Sequence, residues 1–346
     1  MGITIPGFER FTVKGCHMDK PGYLIWIFTA ICNLNCLHCY TYRFRGIKEL
    51  SLSDKLKIAR EIGELGVEYV NLTGGEPLIH PHLPFLLREL DEYGVEKSVV
   101  TNATTVNENV INLLVKTNTY VFVTIEGPRN IHDEIRGRGV FDKVVENTKL
   151  IKSRVGRFSV VTTINRLNYI YTERMVDLAI DLGADELAVL PVMPSGRALE
   201  TKTYIEPFEY LLALLSISRK ARSRGLPISA WCTPWAPLLK GLEGVGFWFC
   251  REMNGMDIDP AGNVLLCDIL DFKITNVIEK GVLGAFREFK DNWLVKSVSN
   301  PLKMPSECAK CDISLGCRGG CFARSYILKG DLNAGDPLCP VISKLL

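Results

Sequence analysis

The sequence predicts a parallel α/β fold followed by a smaller, mostly irregular cysteine-rich region with a short β-hairpin. Three observations predict it. Six short apolar, β-branched runs alternate with helical patterns between residues 23 and 192. The texture then changes after about residue 206, where turns and cysteines replace the alternation. With 346 residues and 47% hydrophobic content the chain can bury a sizeable core in one large domain or two smaller ones.

The first run is Tyr23 to Thr29. Ser51 to Leu65 then reads as an amphipathic helix. Ser51 is placed to cap it with Asp54 three residues on, and Leu52, Leu56, Ala59 and Ile62 keep a helical spacing. Four further pairs continue the pattern: a run at 68–72 and a helix at 82–93, then 97–101 and 108–116, 119–125 and 141–153, and 158–164 and 172–182. The sixth run spans 186–191, and residues 208–224 read as a helix after it. Strand-then-helix units imply a parallel sheet with right-handed crossovers, and six are too few for a closed eight-stranded barrel. Asp257 to Leu266, with Pro260-Ala261-Gly262 at its centre, reads as the hairpin. The expected organisation is an N-terminal extension at 1–22, a barrel at 23–205, a helical linker at 206–249 and a cysteine-rich domain at 250–346.

A net charge of +2 without a sustained basic run argues against a nucleic-acid partner. The apolar stretch ending at Cys32 is about ten residues long, roughly half a membrane span. The N-terminus shows no signal layout, so the expected compartment is the cytoplasm. Twelve cysteines then read as metal ligands rather than disulfides.

Cys32, Cys36 and Cys39 carry the most specific signal. Three close thiolates can hold three irons of a 4Fe–4S cube and leave the fourth iron open to another ligand. A structural zinc site wants four protein ligands, and His38, between Cys36 and Cys39, reaches the same metal poorly. A redox pair needs a single C-x-x-C. His80 and His82 flank Pro81 and read as a turn and helix entry rather than a metal pair.

The C-x3-C-x2-C spacing after a first strand, with Gly74-Gly75-Glu76-Pro77 after the second, resembles the radical S-adenosylmethionine (SAM) enzymes. Cys250, Gly262, Cys267, Cys308, Cys311, Cys317, Cys321 and Cys339 follow the spacing of the SPASM extension found on members that modify peptides and proteins. The resemblance covers about residues 20–345. It implies a partial (β/α)6 barrel with its site at the strand C-termini, one SAM-binding 4Fe–4S cluster and two auxiliary ones. Those need eleven cysteines. Cys232 is expected to complete the nearer set with Cys250, Cys267 and Cys321. Cys308, Cys311, Cys317 and Cys339 would form the outer set. Cys16 is left as a free thiol.

For SAM, the resemblance implies that Gly74, Gly75 and Glu76 bind the amino group. Thr124 and Arg136 (or Arg138) are expected to bind the carboxylate, and Asn165 and Leu190 the ribose and adenine. Ala103 and Glu126 depart from the family's usual glycine and aspartate. Asp268, with Asp271 as a rival, is the expected base; a solvated hairpin-end carboxylate is the competing reading. The implied activity is oxidative modification of a peptide or protein side chain, with a ferredoxin or flavodoxin as electron donor. The alternatives are maturation of a tetrapyrrole or pyranopterin-type precursor, or an iron–sulfur electron-transfer or scaffold protein. Zinc ribbons are the alternative reading of the C-terminal cysteines.

Overall fold

The computed structural model describes residues 19–346, so Cys16 and most of the expected N-terminal extension lie outside the described residues. The six expected strands form as β1 (Tyr23–Thr29), β2 (Tyr69–Gly74), β3 (Glu96–Thr101), β4 (Tyr120–Thr124), β5 (Phe158–Ile164) and β6 (Glu186–Pro191), all parallel and in chain order. Their connections carry α1 (Leu52–Glu64), α2 (Leu83–Glu92), α3 (Glu108–Lys116), α4 (Arg129–Arg136), α5 (Val140–Arg154) and α6 (Thr172–Asp181). Ser51 caps α1 by accepting from the Asp54 backbone N–H. Asn107 caps α3 in the same way.

Alternation along the strands separates two faces. Leu24, Trp26, Phe28, Val70, Leu72, Val121 and Val123 join the large core beneath the helices. Tyr69, Tyr120, Phe122, Val161 and Ala188 form a second cluster on the opposite, inner face, with Leu190 and Trp231 packed on it. Burial on both faces explains why the strands read as nearly continuous apolar runs.

The sheet is larger than six strands. After α7 (Arg197–Thr201) and α8 (Pro207–Arg224), β7 (Ile228–Ala230) pairs parallel to β6. Residues 206–249, expected as a helical linker, thus extend the barrel. The expected hairpin forms as β8 (Gly255–Ile258) and β9 (Asn263–Leu265), and β8 pairs parallel to β1. With β10 (Lys273–Asn276) at the far edge, one ten-stranded sheet runs through both halves of the chain. Gly246 bridges to Ser229 beside β7, and the Asn254 carbonyl accepts from Gly22 N–H beside β1. Residues 246–254 therefore run from one edge of the barrel sheet to the other. Hydrogen bonds along the β1 edge fix the cysteine-rich region relative to the strand that leads into Cys32.

Candidate active site and cysteine groups

Cys32, Cys36 and Cys39 lie on the loop leaving the C-terminal end of β1, and all three are free thiols. Several distant segments clasp this loop. Leu37 N–H donates to the Ile135 carbonyl in α4. Arg197 donates to the carbonyls of Asn35 and Cys36, and Thr201 to that of Leu37. The Thr41 hydroxyl donates to the Gly74 carbonyl at 3.1 Å and touches Cys39 Sγ at 3.3 Å. Burial pushes the Cys36 thiol up to about 11, with the Cys39 and Cys32 charges adding to it. Cys32 is raised too, chiefly by burial. Forming three adjacent thiolates therefore requires a cationic partner, as a metal centre supplies.

The glycines of Gly74-Gly75 are demanded by the neighbouring strand end. A Cβ on Gly74 would lie 2.1 Å from the Thr29 carbonyl oxygen, and one on Gly75 2.0 Å from that of Ile31. Gly75 N–H and Glu76 N–H each donate at 2.8 Å, to Thr29 and Ile31 respectively. The Glu76 side chain is buried and turned inward. Its carboxylate accepts from Leu78 N–H, the Thr101 hydroxyl and Asn102 N–H, tying the ends of β2 and β3. With the Glu76 carboxylate so engaged, what this segment can offer a ligand is main chain.

Arg136 is brought beside the cysteine loop, with Nη1 3.9 Å from Cys36 Sγ. Its Nε and Nη2 both donate to Glu126 Oε1, Nε at 3.0 Å. Glu126 is fully buried, and despite burial its carboxyl is held below its usual range by Arg136 and His38. His38 Nε2 lies 3.4 Å from the same oxygen, and its buried Nδ1 has no hydrogen-bond partner among the described residues. Arg136 is thus already half committed to a carboxylate. Thr124 is close by in the fold, its hydroxyl donating to the Thr101 carbonyl at 3.1 Å. Asn165 is fully buried, its Nδ2 donating to the Thr163 carbonyl and its Oδ1 accepting from Leu167 N–H, so its side chain shapes its own turn. Leu190 sits on the inner-face cluster.

The remaining cysteines separate into two groups. Cys232 lies within electrostatic reach of Cys250 and Cys321, and Cys267 of Cys321. Cys308, Cys311, Cys317 and Cys339 line a single cavity. Cys250 is buried enough to push its thiol up to about 12. Proximity thus separates Cys232, Cys250, Cys267 and Cys321 from Cys308, Cys311, Cys317 and Cys339.

Asp268 joins the first and nearer groups. The Tyr40 side chain, directly after Cys39, faces the Asp268 carboxylate, and the two interact electrostatically. Cys267 Sγ lies 3.6 Å from Asp268 Oδ1. Arg43 donates to the Asp268 carbonyl and to Asp271, which is 82% exposed and so lies away from the enclosed site. Asp257, Cys267 and Asp268 present ligating atoms within 4.8 Å of one another. Burial and the neighbouring carboxylate raise the Asp257 carboxyl well above its ordinary value; Asp268 is raised as well, chiefly by burial. Sequence reasoning missed both Tyr40, which carries no motif and is brought near Asp268 by the β1–β8 pairing, and Asp257, which accepts from Asp268 N–H across the β8–β9 hairpin.

A parallel barrel with a thiol loop at its strand C-termini and a cysteine-rich extension on its edge defines an iron–sulfur enzyme architecture. The Radical SAM superfamily profile matches residues 26–179. The chain thus carries a radical SAM domain at residues 26–179, and its cysteine-rich C-terminal region is consistent with a SPASM-type extension. It is 26% identical to an AdoMet-dependent heme synthase of Methanosarcina barkeri over 93% of this chain and 97% of that protein. It is 28% identical to the mycofactocin maturase MftC of Mycobacterium tuberculosis over 97% of this chain and 85% of that one. Its fold matches Streptococcus suis SuiB bound to the precursor peptide SuiA with a TM-score of 0.76, at 19% identity, over 93% of this chain and 76% of that one.

Proposed function

We propose that this radical SAM enzyme oxidatively modifies a side chain of a peptide or protein. The observation that carries the reading is the contact between Tyr40, beside the first cysteine group, and Asp268, beside the second. A protein that only carried electrons has no need for a carboxylate held between two such groups. The maturase relative and the peptide-bound structural neighbour support the same substrate class.

In this reading Cys32, Cys36 and Cys39 hold the SAM-binding cluster. Cys232, Cys250, Cys267 and Cys321 hold the nearer auxiliary cluster, and Cys308, Cys311, Cys317 and Cys339 the outer one. When bound, the first cluster and SAM supply a 5′-deoxyadenosyl radical for hydrogen abstraction. The main chain of Gly74, Gly75 and Glu76 orients the methionine amino group. Thr124 and the free edge of Arg136 face its carboxylate, while Glu126 keeps Arg136 beside Cys36. Asn165 shapes the turn beside the ribose, and Leu190 contributes apolar surface below the adenine. Asp268, aligned by Tyr40, accepts the proton released as the substrate is oxidised.

A ferredoxin or flavodoxin would supply the reducing electron, and the free cysteines suit a reducing cytoplasm. Among the described residues no helix is long and apolar enough to cross a membrane. The near-complete coverage of the heme synthase favours a second reading, a tetrapyrrole precursor as substrate. The test is anaerobic turnover with SAM, a reductant and either a short peptide encoded beside the gene or a tetrapyrrole precursor. Peptide oxidation coupled to 5′-deoxyadenosine release is expected. Conversion of the tetrapyrrole alone would overturn the peptide reading.

A further inference from the structure

Two arginines are buried among the C-terminal cysteines, each 1% exposed, and they are treated differently. Arg324 has a carboxylate partner. Its Nε donates to Asp336 Oδ1 at 2.9 Å and its Nη2 to Oδ2 at 2.6 Å, so that charge is locally neutralised. Arg251 has none. Its Nε donates to the Gly320 carbonyl at 2.8 Å, its Nη1 to the Val298 carbonyl at 3.0 Å and to Asn333 Oδ1 at 2.8 Å, and its Nη2 to the Leu332 carbonyl at 2.8 Å. Among the described residues no carboxylate lies within ion-pair distance of it. Neutral acceptors satisfy its hydrogens and leave its charge uncancelled.

A buried cation without a counter-charge is costly, so its position asks for an anion nearby. Arg251 follows Cys250 directly in the chain, which places its backbone on the nearer cysteine group. Its guanidinium reaches the other way. Gly319 and Gly320 form part of the wall of the cavity lined by Cys308, Cys311, Cys317 and Cys339. Nε is bonded to Gly320, and Nη2 lies 3.6 Å from where a Gly319 Cβ would sit. The charged groups acting on it most strongly after its burial are Cys321 of the nearer group and Cys317 of the outer one, then Asp336, which is already paired with Arg324, and then Cys308 of the outer group. Gly319 and Gly320 both have positive φ, and the absent Cβ atoms let this wall be thin.

We infer that Arg251 is the shared counter-cation of the two C-terminal cysteine groups and raises the reduction potential of the clusters they hold. This rests on the auxiliary-cluster reading proposed above. The sign follows from charge. Reduction adds one negative charge to a cluster, and a nearby uncancelled guanidinium favours that state. Both clusters gain, so Arg251 keeps the pair able to accept the electron that a substrate radical loses as it is oxidised and to pass it outward to an electron-carrier protein.

The test is an EPR-monitored redox titration of the reconstituted full chain, with iron and sulfide counted for each sample. R251Q is expected to shift both auxiliary potentials downward and leave the Cys32/Cys36/Cys39 cluster unmoved. R251K keeps the charge but loses the planar fork, and is expected to stay near the wild-type potentials. D336N leaves Arg324 uncancelled, and is expected to shift the nearer auxiliary cluster upward without touching Arg251. If Arg251 merely ties four segments together, R251K will be as damaged as R251Q and neither will move a potential in the cluster-replete fraction. Should R251Q fail to load its clusters, an unmoved potential in D336N overturns the inference. Wild-type iron near four per chain, against the roughly twelve that three clusters need, overturns the auxiliary-cluster reading and this inference with it. Full iron with unmoved potentials overturns the inference alone.

Discussion

Substituting Gly75 by alanine tests how the cysteine loop is held. The new Cβ would lie 2.0 Å from the Ile31 carbonyl oxygen, 2.5 Å from its carbon and 2.9 Å from the Ala30 carbonyl carbon. These are backbone atoms one and two residues before Cys32, so no side chain can swing aside. Restoring a tolerable contact moves the two segments apart by about 1 Å. That stretches the hydrogen bonds from Gly75 to Thr29 and from Glu76 to Ile31, both 2.8 Å in the structure. Two weakened bonds cost about 1 kcal/mol each, and overpacking adds about 1–3 kcal/mol. The stiffer unfolded chain returns about 0.4–1 kcal/mol. The net expectation is a loss of about 2–4 kcal/mol, together with SAM affinity reduced at least about tenfold because the loop and the Gly-Gly main chain move together. The assays are thermal unfolding of the reconstituted protein and SAM titration. Gly94, whose added Cβ would meet nothing within 4 Å, is the control for backbone strain alone. A G75A protein that melts and binds SAM like G94A would refute the reasoning.

E126Q removes the charge facing Arg136 and His38. It should cost about 3–5 kcal/mol of stability and weaken SAM binding, read by thermal unfolding and titration; a neutral result would mean Arg136 is held by something else. Lys55 is fully buried against Glu49, 3.0 Å away, so E49A should destabilise by a similar amount, while removing both charges in E49A/K55M should restore much of it. His132 Nδ1 accepts from Glu126 N–H, and burial lowers that histidine to about 4. The unfolded state therefore binds the proton first as pH falls from 6.5. His132 alone should contribute a loss of about 1.5 kcal/mol of stability between pH 6.5 and 5, and H132Q should show a loss smaller than the wild type by about that amount in melting profiles. Y40F leaves Asp268 unaligned: release of 5′-deoxyadenosine should persist while product per 5′-deoxyadenosine falls about tenfold, and an unchanged ratio would remove Tyr40 from the chemistry.

The six-strand order was legible because each strand is buried on both faces and reads as an apolar run. Other parts of the sheet were not. Ile228-Ser229-Ala230 is too short and mixed to show a period, and only its register beside β6 reveals it. The pairing of β8 with β1 joins residues more than 200 positions apart, and nothing local encodes it. In the site, the cysteines were legible because ligand spacing is a local property. Their surroundings were not. Tyr40 against Asp268 and an arginine between two cysteine groups are contacts made by segments far apart in the chain, and Glu126 against Arg136 depends on how the loop after β4 folds back on α4. Asn165 shows a related ambiguity of sequence: a polar residue at a strand end serves its own turn as readily as a ligand.

The most direct test of the account is the cleavage of SAM. Anaerobically reconstituted, reduced protein should release 5′-deoxyadenosine from SAM, and a C32A/C36A/C39A protein should release none. Equal, background-level release from both would contradict it.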